Sequence, residues 1–177
     1  MTIEKNDCTF RMDNGYFSYR VGAIIKCGDK LLLARHNEEK AAYYPIGGRI
    51  RYGETAEEAA VREVREETGV NCKVERLLAI HENFFISGKG EWYHEINPIY
   101  LIAASDAFSN IPSGRLTDDP GKHEWLEWVD MNDCADKIIY PYFLRDKELF
   151  ESENPRYVTT RGWDWQHCPV RPQTIAV

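Results

Sequence analysis

The chain has 177 residues, of which 43% are hydrophobic and 29% are charged, proportions that suit one globular domain with a packed core and exclude disorder throughout. The formal net charge is −7, from 22 Lys and Arg against 29 Asp and Glu. Because long nucleic acids are bound by a basic face, we do not expect this chain to coat DNA or RNA. A small anionic substrate is not excluded, since a bound metal cation can supply positive charge.

The five cysteines are widely spaced and include no Cys-x-x-Cys pair, so we expect neither a disulfide framework nor a zinc site. The N-terminal residues have no apolar run of the secretory type, and no segment approaches the roughly 18 apolar residues of a membrane span. We therefore expect a cytoplasmic protein that forms one domain over residues 1–177 and has no membrane partner.

The first part of the chain predicts two hairpins, because tight-turn sequences occur at Asp13–Gly15 and Cys27–Asp29. The strands that these turns would join are Thr9–Met12, Tyr16–Arg20, Val21–Lys26 and Lys30–Arg35. A polar loop is predicted over His36–Tyr44. At Pro45–Gly48 the two glycines lack a Cβ, so the backbone can approach a neighbouring group closely.

The clearest helix is predicted over Ala56–Thr68, which is rich in Ala, Glu and Arg. Thr55 and Glu58 have the spacing of a capping box, in which each side chain accepts the other residue's backbone N–H. Gly69 suits the position just after a helix end, which favours a left-handed backbone conformation.

The second half of the chain predicts further strands and a second helical segment. The strands are Cys72–Ile86, Trp92–Ala104 and Glu124–Val129. The first two are joined by a turn at Ser87–Gly90, and Ser105–Gly121 is predicted to be a loop. Asn132–Phe150 is predicted to be helical, with Pro141 either breaking it or starting a second piece, and the tail from about residue 151 has no clear period. Strands on both sides of one helix predict an α/β or α+β sandwich.

Three glutamates share one stripe of the predicted helix, because Glu63, Glu66 and Glu67 fall within an arc of about 100°. Like charges at these spacings destabilise a helix by roughly 0.2–0.5 kcal/mol per pair. A hard divalent cation such as Mg²⁺ or Mn²⁺ would turn that repulsion into attraction. The alternative is a solvent-exposed acidic face that Arg62 and Arg65 neutralise.

Residues 48–70 have the pattern Gly-x5-Glu-x7-Arg-Glu-U-x-Glu-Glu-x-Gly-U, where U is a bulky aliphatic residue. The matching residues are Gly48, Glu54, Arg62, Glu63, Val64, Glu66, Glu67, Gly69 and Val70. This pattern resembles the Nudix box, so the chain is similar to the Nudix hydrolase family, whose members include MutT-like proteins. The resemblance implies an α/β fold of the Nudix type, an α/β/α sandwich with a mixed central sheet. One departure is Ile46, which stands between Pro45 and the glycines where many members have Pro-Gly-Gly.

The resemblance also implies a reaction and roles for individual residues. Family members hydrolyse a nucleoside diphosphate linked to another group, X, with Mg²⁺ or Mn²⁺ as cofactor. The implied metal ligands are Glu63, Glu66, Glu67 and the backbone carbonyl of Gly47. Arg62 matches the arginine that orients these carboxylates, and Glu54 matches the structural partner of that arginine.

The general base, which accepts a proton from the attacking water, varies among Nudix members, so several candidates stay open. Glu124 is the first candidate, because several relatives place a late catalytic glutamate at a comparable strand start. Glu66 is the second. Glu82 and Glu95 are the third, because the turn at Ser87–Gly90 could set them opposite each other, although a solvated strand face also explains that pair.

Arginines near the box are candidates for contact with the substrate's phosphates, and these are Arg35, Arg49 and Arg51. Aromatic residues that could stack on a nucleobase, or simply fill the core, are Tyr43, Tyr44, Phe84, Trp92 and Tyr93. We expect a small-molecule nucleotide as substrate, with a homodimer left open through the N-terminal hairpin (about residues 8–20) or through Trp163–Trp165 of the tail.

Markers of several Nudix subfamilies are missing beyond the box. Phe84–Ile86 stands where ADP-ribose hydrolases often have a proline, and Ser87-Gly88 where diadenosine polyphosphate hydrolases often have a tyrosine. The coenzyme A and NADH motifs are missing as well. These absences weaken four subfamily assignments without establishing another, and our hypothesis is a substrate the size of a nucleoside triphosphate or a nucleotide sugar. The alternatives are a catalytically weak nucleotide-binding sensor and an RNA 5′-cap or pyrophosphate hydrolase, although the net charge disfavours RNA.

Overall fold

A computed structural model describes residues 6–36, 42–118 and 124–162. Its strands are β1 (Thr9–Met12), β2 (Gly15–Cys27), β3 (Lys30–His36), β4 (Tyr43–Tyr44), β5 (Ile46–Arg49), β6 (Val74–Ile86), β7 (Trp92–Ile102), β8 (Arg115–Leu116), β9 (Glu124–Asp130) and β10 (Arg156–Arg161). Its helices are α1 (Ala56–Thr68), the single turns α2 (Asp106–Ser109) and α3 (Glu148–Glu151), and a 3-10 helix over Tyr142–Arg145. No helix within these ranges is long and apolar enough to cross a membrane.

The strands form one mixed sheet in the order β10-β6-β7-β2-β3-β9-β8. The pairs β2–β7 and β6–β10 are parallel, and the other neighbours on this path are antiparallel. Strands β1 and β5 pair with β2, and β4 pairs with β3. The predicted α/β class with a mixed sheet is therefore confirmed.

Both faces of the sheet are covered. Side chains alternate between the two faces along each strand, so each strand contributes to the packing on both. On β3, Leu32 and Ala34 pack into the core beneath α1. Leu31 and Leu33 point the other way and pack with side chains of the 3-10 helix and α3, such as Leu144. The result is a sandwich in which α1 covers one face and single helical turns contribute to the layer on the other.

The first predicted hairpin is confirmed, since Met12 pairs with Gly15 across the Asp13-Asn14 turn. The two strands predicted over Tyr16–Arg20 and Val21–Lys26 are one continuous strand, β2. The second hairpin is also confirmed, with Cys27 opposite Lys30. Of the predicted His36–Tyr44 loop, residues 37–41 lie outside the described residues, and Tyr43–Tyr44 forms β4.

The predicted helix is confirmed over Ala56–Thr68. Thr55 Oγ1 accepts the Glu58 N–H at 3.2 Å, and Glu58 Oε2 accepts the Thr55 N–H at 2.8 Å, so the capping box is complete. Gly69 ends the helix in the left-handed region at φ 72°. These local bonds satisfy backbone groups that a helix end otherwise leaves unpaired, and they fix where the acidic stripe begins and ends.

Two predictions in the C-terminal part were wrong. Asn132–Phe150 is mostly turns, with Pro141 directly before the 3-10 helix, because proline lacks the N–H of a helix interior and restricts the residue before it. The sequence of the tail from about residue 151 has no clear hydrophobic period and predicted no strand, but Arg156–Arg161 forms β10, parallel to β6. The predicted Ser105–Gly121 loop contains α2 and β8, and its residues 119–121 lie outside the described residues, as does the Trp163–Trp165 segment.

Candidate active site

The glycine bend before α1 lies directly against the acidic stripe of that helix. Glu67 is fully buried and Glu63 is only 5% exposed, whereas the Glu66 side chain is 34% exposed. The Gly47 N–H donates to Glu67 Oε1 at 3.3 Å. A Cβ added to Gly48 would lie 2.2 Å from Glu63 Oε1, so only glycine leaves room for that carboxylate. The carboxylates are therefore held against the bend and are not spread into solvent.

Arg62 ties the carboxylates and the loop together. Its Nε and Nη2 donate to the two oxygens of Glu54 at 2.6 and 2.9 Å. Its Nη1 donates to Glu63 at 2.6 Å and to Glu66 at 3.1 Å, and Nη2 also reaches the Arg49 carbonyl at 3.0 Å. Burial by itself would lower the pKa of Arg62, but the hydrogen bonds that Arg62 donates to Glu54 and Glu63 raise that pKa. Burial alone would raise the pKa of the Glu54 carboxyl, but the Arg62 bond, the Arg51 backbone N–H and the charges of both arginines together lower it.

The donor set suits a hard divalent cation, although the carboxylates are turned toward Arg62. Within residues 6–36, 42–118 and 124–162, no three His, Cys, Asp or Glu side chains are arranged as a ready-made metal cage. Three carboxylates beside a peptide carbonyl are nonetheless the oxygen ligands that Mg²⁺ and Mn²⁺ prefer. The Glu63 carboxylate occupies the place that a Cβ on Gly48 would take, directly against the bend. Rotation of Glu63 and Glu66 away from Arg62 would free their oxygens for such an ion.

Glu124 lies on the same face of the sheet as α1. It begins β9, where it shares its face with the buried Leu126, and its side chain is 12% exposed. The Tyr44 hydroxyl is buried close by, without a well-formed hydrogen bond to the described residues. Burial and then the negative charges of Glu124 and Glu67 raise the pKa of Tyr44. The structure thus brings Glu124 and Tyr44 to the neighbourhood of Glu67.

Of the three arginines proposed for phosphate contact, the structure brings only the Arg51 guanidinium to the acidic stripe, 3.6 Å from Glu66 Oε1. In the β5–β2 register, Gly48 stands opposite Val21, whose side chain is in the core beneath α1. Arg49 is the next residue and stands opposite Arg20, so its side chain points to the other face of the sheet, away from α1. There Arg49 Nη1 donates to Asp7 at 3.1 Å.

Arg35 also lies away from the stripe. It follows Leu33 by two residues on β3, so it shares that residue's face, opposite α1. Its Nε donates to Glu127 Oε1 at 2.6 Å, and the Tyr43 hydroxyl donates to the other oxygen of Glu127 at 3.0 Å. The Arg35 side chain is thus bound into the sheet rather than directed at the acidic helix.

The predicted pairing of Glu82 with Glu95 was wrong by one residue. Ile86 pairs with Trp92, so the connecting loop includes Glu91, and Glu95 stands opposite Asn83. A shift of one residue places Glu82 and Glu95 on opposite faces of the sheet. Glu82 is occupied there by a hydrogen bond with His94 at 3.0 Å.

The aromatic candidates are mostly engaged within the protein. Phe84 is only 9% exposed and stacks on His94 with ring centroids 4.3 Å apart. Tyr93 stacks between Tyr16 and Phe85, each at 5.1 Å. Tyr93 thereby lies on the face of the sheet opposite α1, the face that also carries Arg35 and Arg49.

That opposite face also carries a group of polar side chains, of which the sequence named only Glu95. The others are Arg20, Asn83, Asn97 and Tyr140. The missed signal was the alternation of polar residues with apolar ones along strands that the sequence did identify, as at His81 and Asn83 on β6.

Comparison with known proteins agrees with this architecture. The NUDIX domain family matches residues 17–149. A putative Nudix hydrolase 1 of Caenorhabditis elegans is 36% identical over 144 residues, which are 77% of this chain and 35% of that protein. An ADP-ribose pyrophosphatase of Methanocaldococcus jannaschii is 42% identical over 129 residues, which are 69% of this chain and 70% of that protein. The chain therefore spans about a third of the first relative's length and most of the second's.

The fold has solved counterparts as well. A Nudix-family hydrolase of Clostridium perfringens superposes with a TM-score of 0.52 at 22% identity, covering 76% of this chain and 97% of that one. The fold is a mixed sheet with one helix whose carboxylates lie beside a glycine bend. The family match covers most of the chain, which belongs to the Nudix hydrolase family.

Proposed function

We propose that this chain is a Mg²⁺-dependent hydrolase that cleaves the diphosphate linkage of a nucleoside diphosphate joined to another group, X. The observation that carries the proposal is the burial of Glu63 and Glu67 against the Gly47–Gly48 bend. Buried carboxylates are costly unless cations balance them, and the Arg62 guanidinium is shared among Glu54, Glu63 and Glu66. A divalent cation held there would neutralise negative charge on the carboxylates and on a bound pyrophosphate.

The chain's own residues have separate tasks in this reaction. Glu63, Glu66, Glu67 and the Gly47 carbonyl would hold Mg²⁺ or Mn²⁺, which when bound opposes the phosphate charge and makes water more acidic. Arg62 orients the carboxylates, and Arg51 adds a positive charge at the rim beside Glu66.

Glu124 is our first choice to accept the proton of the attacking water, because it lies on the α1 face near Tyr44 and Glu67. Water then attacks phosphorus as the bridging P–O bond breaks, and the leaving phosphate takes the bond's electrons. Glu66 is the second candidate, since it is the most exposed of the three helix carboxylates.

The substrate should be of nucleoside triphosphate or nucleotide-sugar size. Identity of 42% to an ADP-ribose pyrophosphatase adds ADP-ribose to this group, although the proline expected of ADP-ribose hydrolases is missing at Phe84–Ile86. A panel of nucleoside triphosphates, nucleotide sugars, ADP-ribose, NAD and dinucleoside polyphosphates, assayed with Mg²⁺ and by phosphorus NMR, tests the proposal. We expect anhydride cleavage of at least one compound, lost on chelation. Tight binding without turnover across the panel would instead indicate a nucleotide sensor.

A further inference from the structure

The sheet face opposite α1 carries polar side chains on its central strands, where an apolar core would be the ordinary outcome. Asn83 on β6 stands opposite Glu95 on β7. Arg20 on β2 places Nε 3.6 Å from Glu95 Oε2. Further along the same face, Ile24 and Ile99 are fully buried among apolar neighbours. The polar group is therefore a local feature of this face.

Two of these side chains hold acceptor atoms that the surrounding protein does not use. Asn83 is only 3% exposed, and its Oδ1 is fully buried with no hydrogen-bond donor in the part of the chain that the structure describes. Asn97 Oδ1 is likewise buried, with no hydrogen-bond donor among the described residues. Leaving a buried acceptor unpaired destabilises a protein, so such an atom in a native protein calls for an explanation.

The remaining members add a third acceptor and a donor. Burial raises the pKa of Glu95 against the opposing charges of Arg20 and Arg49, yet 13% of its side chain stays exposed, so it borders solvent-accessible space. The Tyr140 hydroxyl forms a hydrogen bond with the Asn83 side chain, which places it beside the group, and burial, followed by the charge of Glu95, raises its pKa to about 12.

This polar face is continuous with the candidate active site through β5. Arg49 directs its guanidinium toward Asp7, on the polar side, while its backbone carbonyl accepts from Arg62. The same strand carries Gly47, which contacts Glu67. Tyr93 extends the face with a flat aromatic surface stacked between Tyr16 and Phe85. A planar group bound here would lie at the end of a chain of contacts that begins at the acidic helix.

We propose that Arg20, Asn83, Glu95, Asn97 and Tyr140 bind the nucleobase of the substrate through its N–H donors, an inference that rests on the proposed function. Among these side chains, the buried polar atoms without a partner in the described residues are the two carboxamide oxygens, which are acceptors and lie on the same face as the Glu95 carboxylate, so the face favours a donor-rich base. Guanine offers a ring N–H and an amino group beside a carbonyl. Adenine and cytosine offer only the amino group, and uracil and thymine only a ring N–H. The order of preference is therefore guanine, then adenine or cytosine, then uracil or thymine.

The test compares kcat/KM for the same diphosphate compound with each base, in the wild type and in Glu95→Gln. We expect Glu95→Gln to lower kcat/KM for the guanine compound about tenfold, mainly through KM, and to flatten the order of preference. Asn97→Leu should reduce the preference as well. Glu75→Gln, which changes an exposed carboxylate on the same sheet, is the matched control and should change neither quantity. Thermal melting of each variant separates altered recognition from unfolding.

A second measurement separates failure of this inference from failure of the proposed hydrolysis. Binding of GMP, AMP and UMP is measured by calorimetry without divalent cations. GMP should bind most tightly to the wild type, and Glu95→Gln should remove that advantage, whether or not the chain hydrolyses anything. Equal binding of the three nucleotides, binding of none of them, or a base preference that survives Glu95→Gln and Asn97→Leu would overturn the inference while leaving hydrolysis untouched.

Discussion

Arg62 is the residue on which the geometry of the candidate site most depends. One guanidinium serves Glu54 on the loop, Glu63 and Glu66 on the helix, and the Arg49 carbonyl. The planar fork of arginine makes this possible, because its donors diverge in fixed directions that a lysine ammonium cannot reproduce. The spacing of the box predicted the Glu54–Arg62 partnership. It could not predict that Arg49 would contribute its carbonyl, because that depends on the register of β5 against β2.

The first prediction concerns this fork. Arg62→Lys keeps the positive charge but loses the paired bonds to Glu54, so the free energy of unfolding in urea should fall by about 2 kcal/mol. Hydrolysis should fall as well, because Glu63 and Glu66 lose their orientation. Arg65→Lys, on the exposed side of the same helix, is the control and should leave both quantities near the wild-type values. Equal stability of the two variants would show that Arg62 does not organise the site.

At the scale of elements, the bend and α1 form one unit that local sequence determined almost completely. The cap of Thr55 and the terminus at Gly69 follow from neighbouring residues, and so does the stripe of glutamates. The segment over residues 132–150 and β10 could not be predicted in this way. Apolar Ile139, Leu144 and Leu149 are buried by long-range packing without a regular period, and β10 pairs with a strand far away in the chain.

The second prediction compares the two glycines of the bend. A Cβ on Gly47 would lie 2.1 Å from the Val21 carbonyl oxygen, so Gly47→Ala must move the backbone and should lower the melting temperature. A Cβ on Gly48 meets only the end of the flexible Glu63 side chain. Gly48→Ala should therefore melt near the wild-type temperature yet lose hydrolysis, because the Glu63 carboxylate is displaced. A fully active Gly48→Ala variant would contradict the position assigned to Glu63.

At the scale of the whole molecule, the sheet is held from its second face by residues that sequence reasoning did not connect. His81 on β6 is 1% exposed, and its Nε2 lies 2.9 Å from Thr160 Oγ1 on β10. Its ring also contacts Phe143 of the 3-10 helix at 5.3 Å between centroids. One side chain therefore joins three elements, and its burial couples the stability of the fold to pH.

The third prediction follows from that burial, which lowers the pKa of His81 to about 4 from its ordinary 6.5. The unfolded chain binds the proton more readily, so the contribution of His81 to stability is full above pH 6.5 and is lost as pH falls toward 4. At pH 5 the loss is about 2 kcal/mol. Unfolding in urea at pH 7 and pH 5 measures it, with His81→Gln as the non-titrating comparison. If the wild type and His81→Gln lose the same free energy of unfolding between pH 7 and pH 5, the pH dependence comes from a group other than His81.

The most direct measurement of the central claim is Mg²⁺-dependent hydrolysis by Glu67→Gln beside Glu57→Gln, two changes on one helix. Glu67 is buried at the bend, and Glu57 is exposed in the first turn. We predict that Glu67→Gln keeps the wild-type circular dichroism and loses turnover on the order of a hundredfold, while Glu57→Gln stays active. Wild-type turnover by Glu67→Gln on the same substrate would contradict the assignment of this acidic stripe as the catalytic metal site.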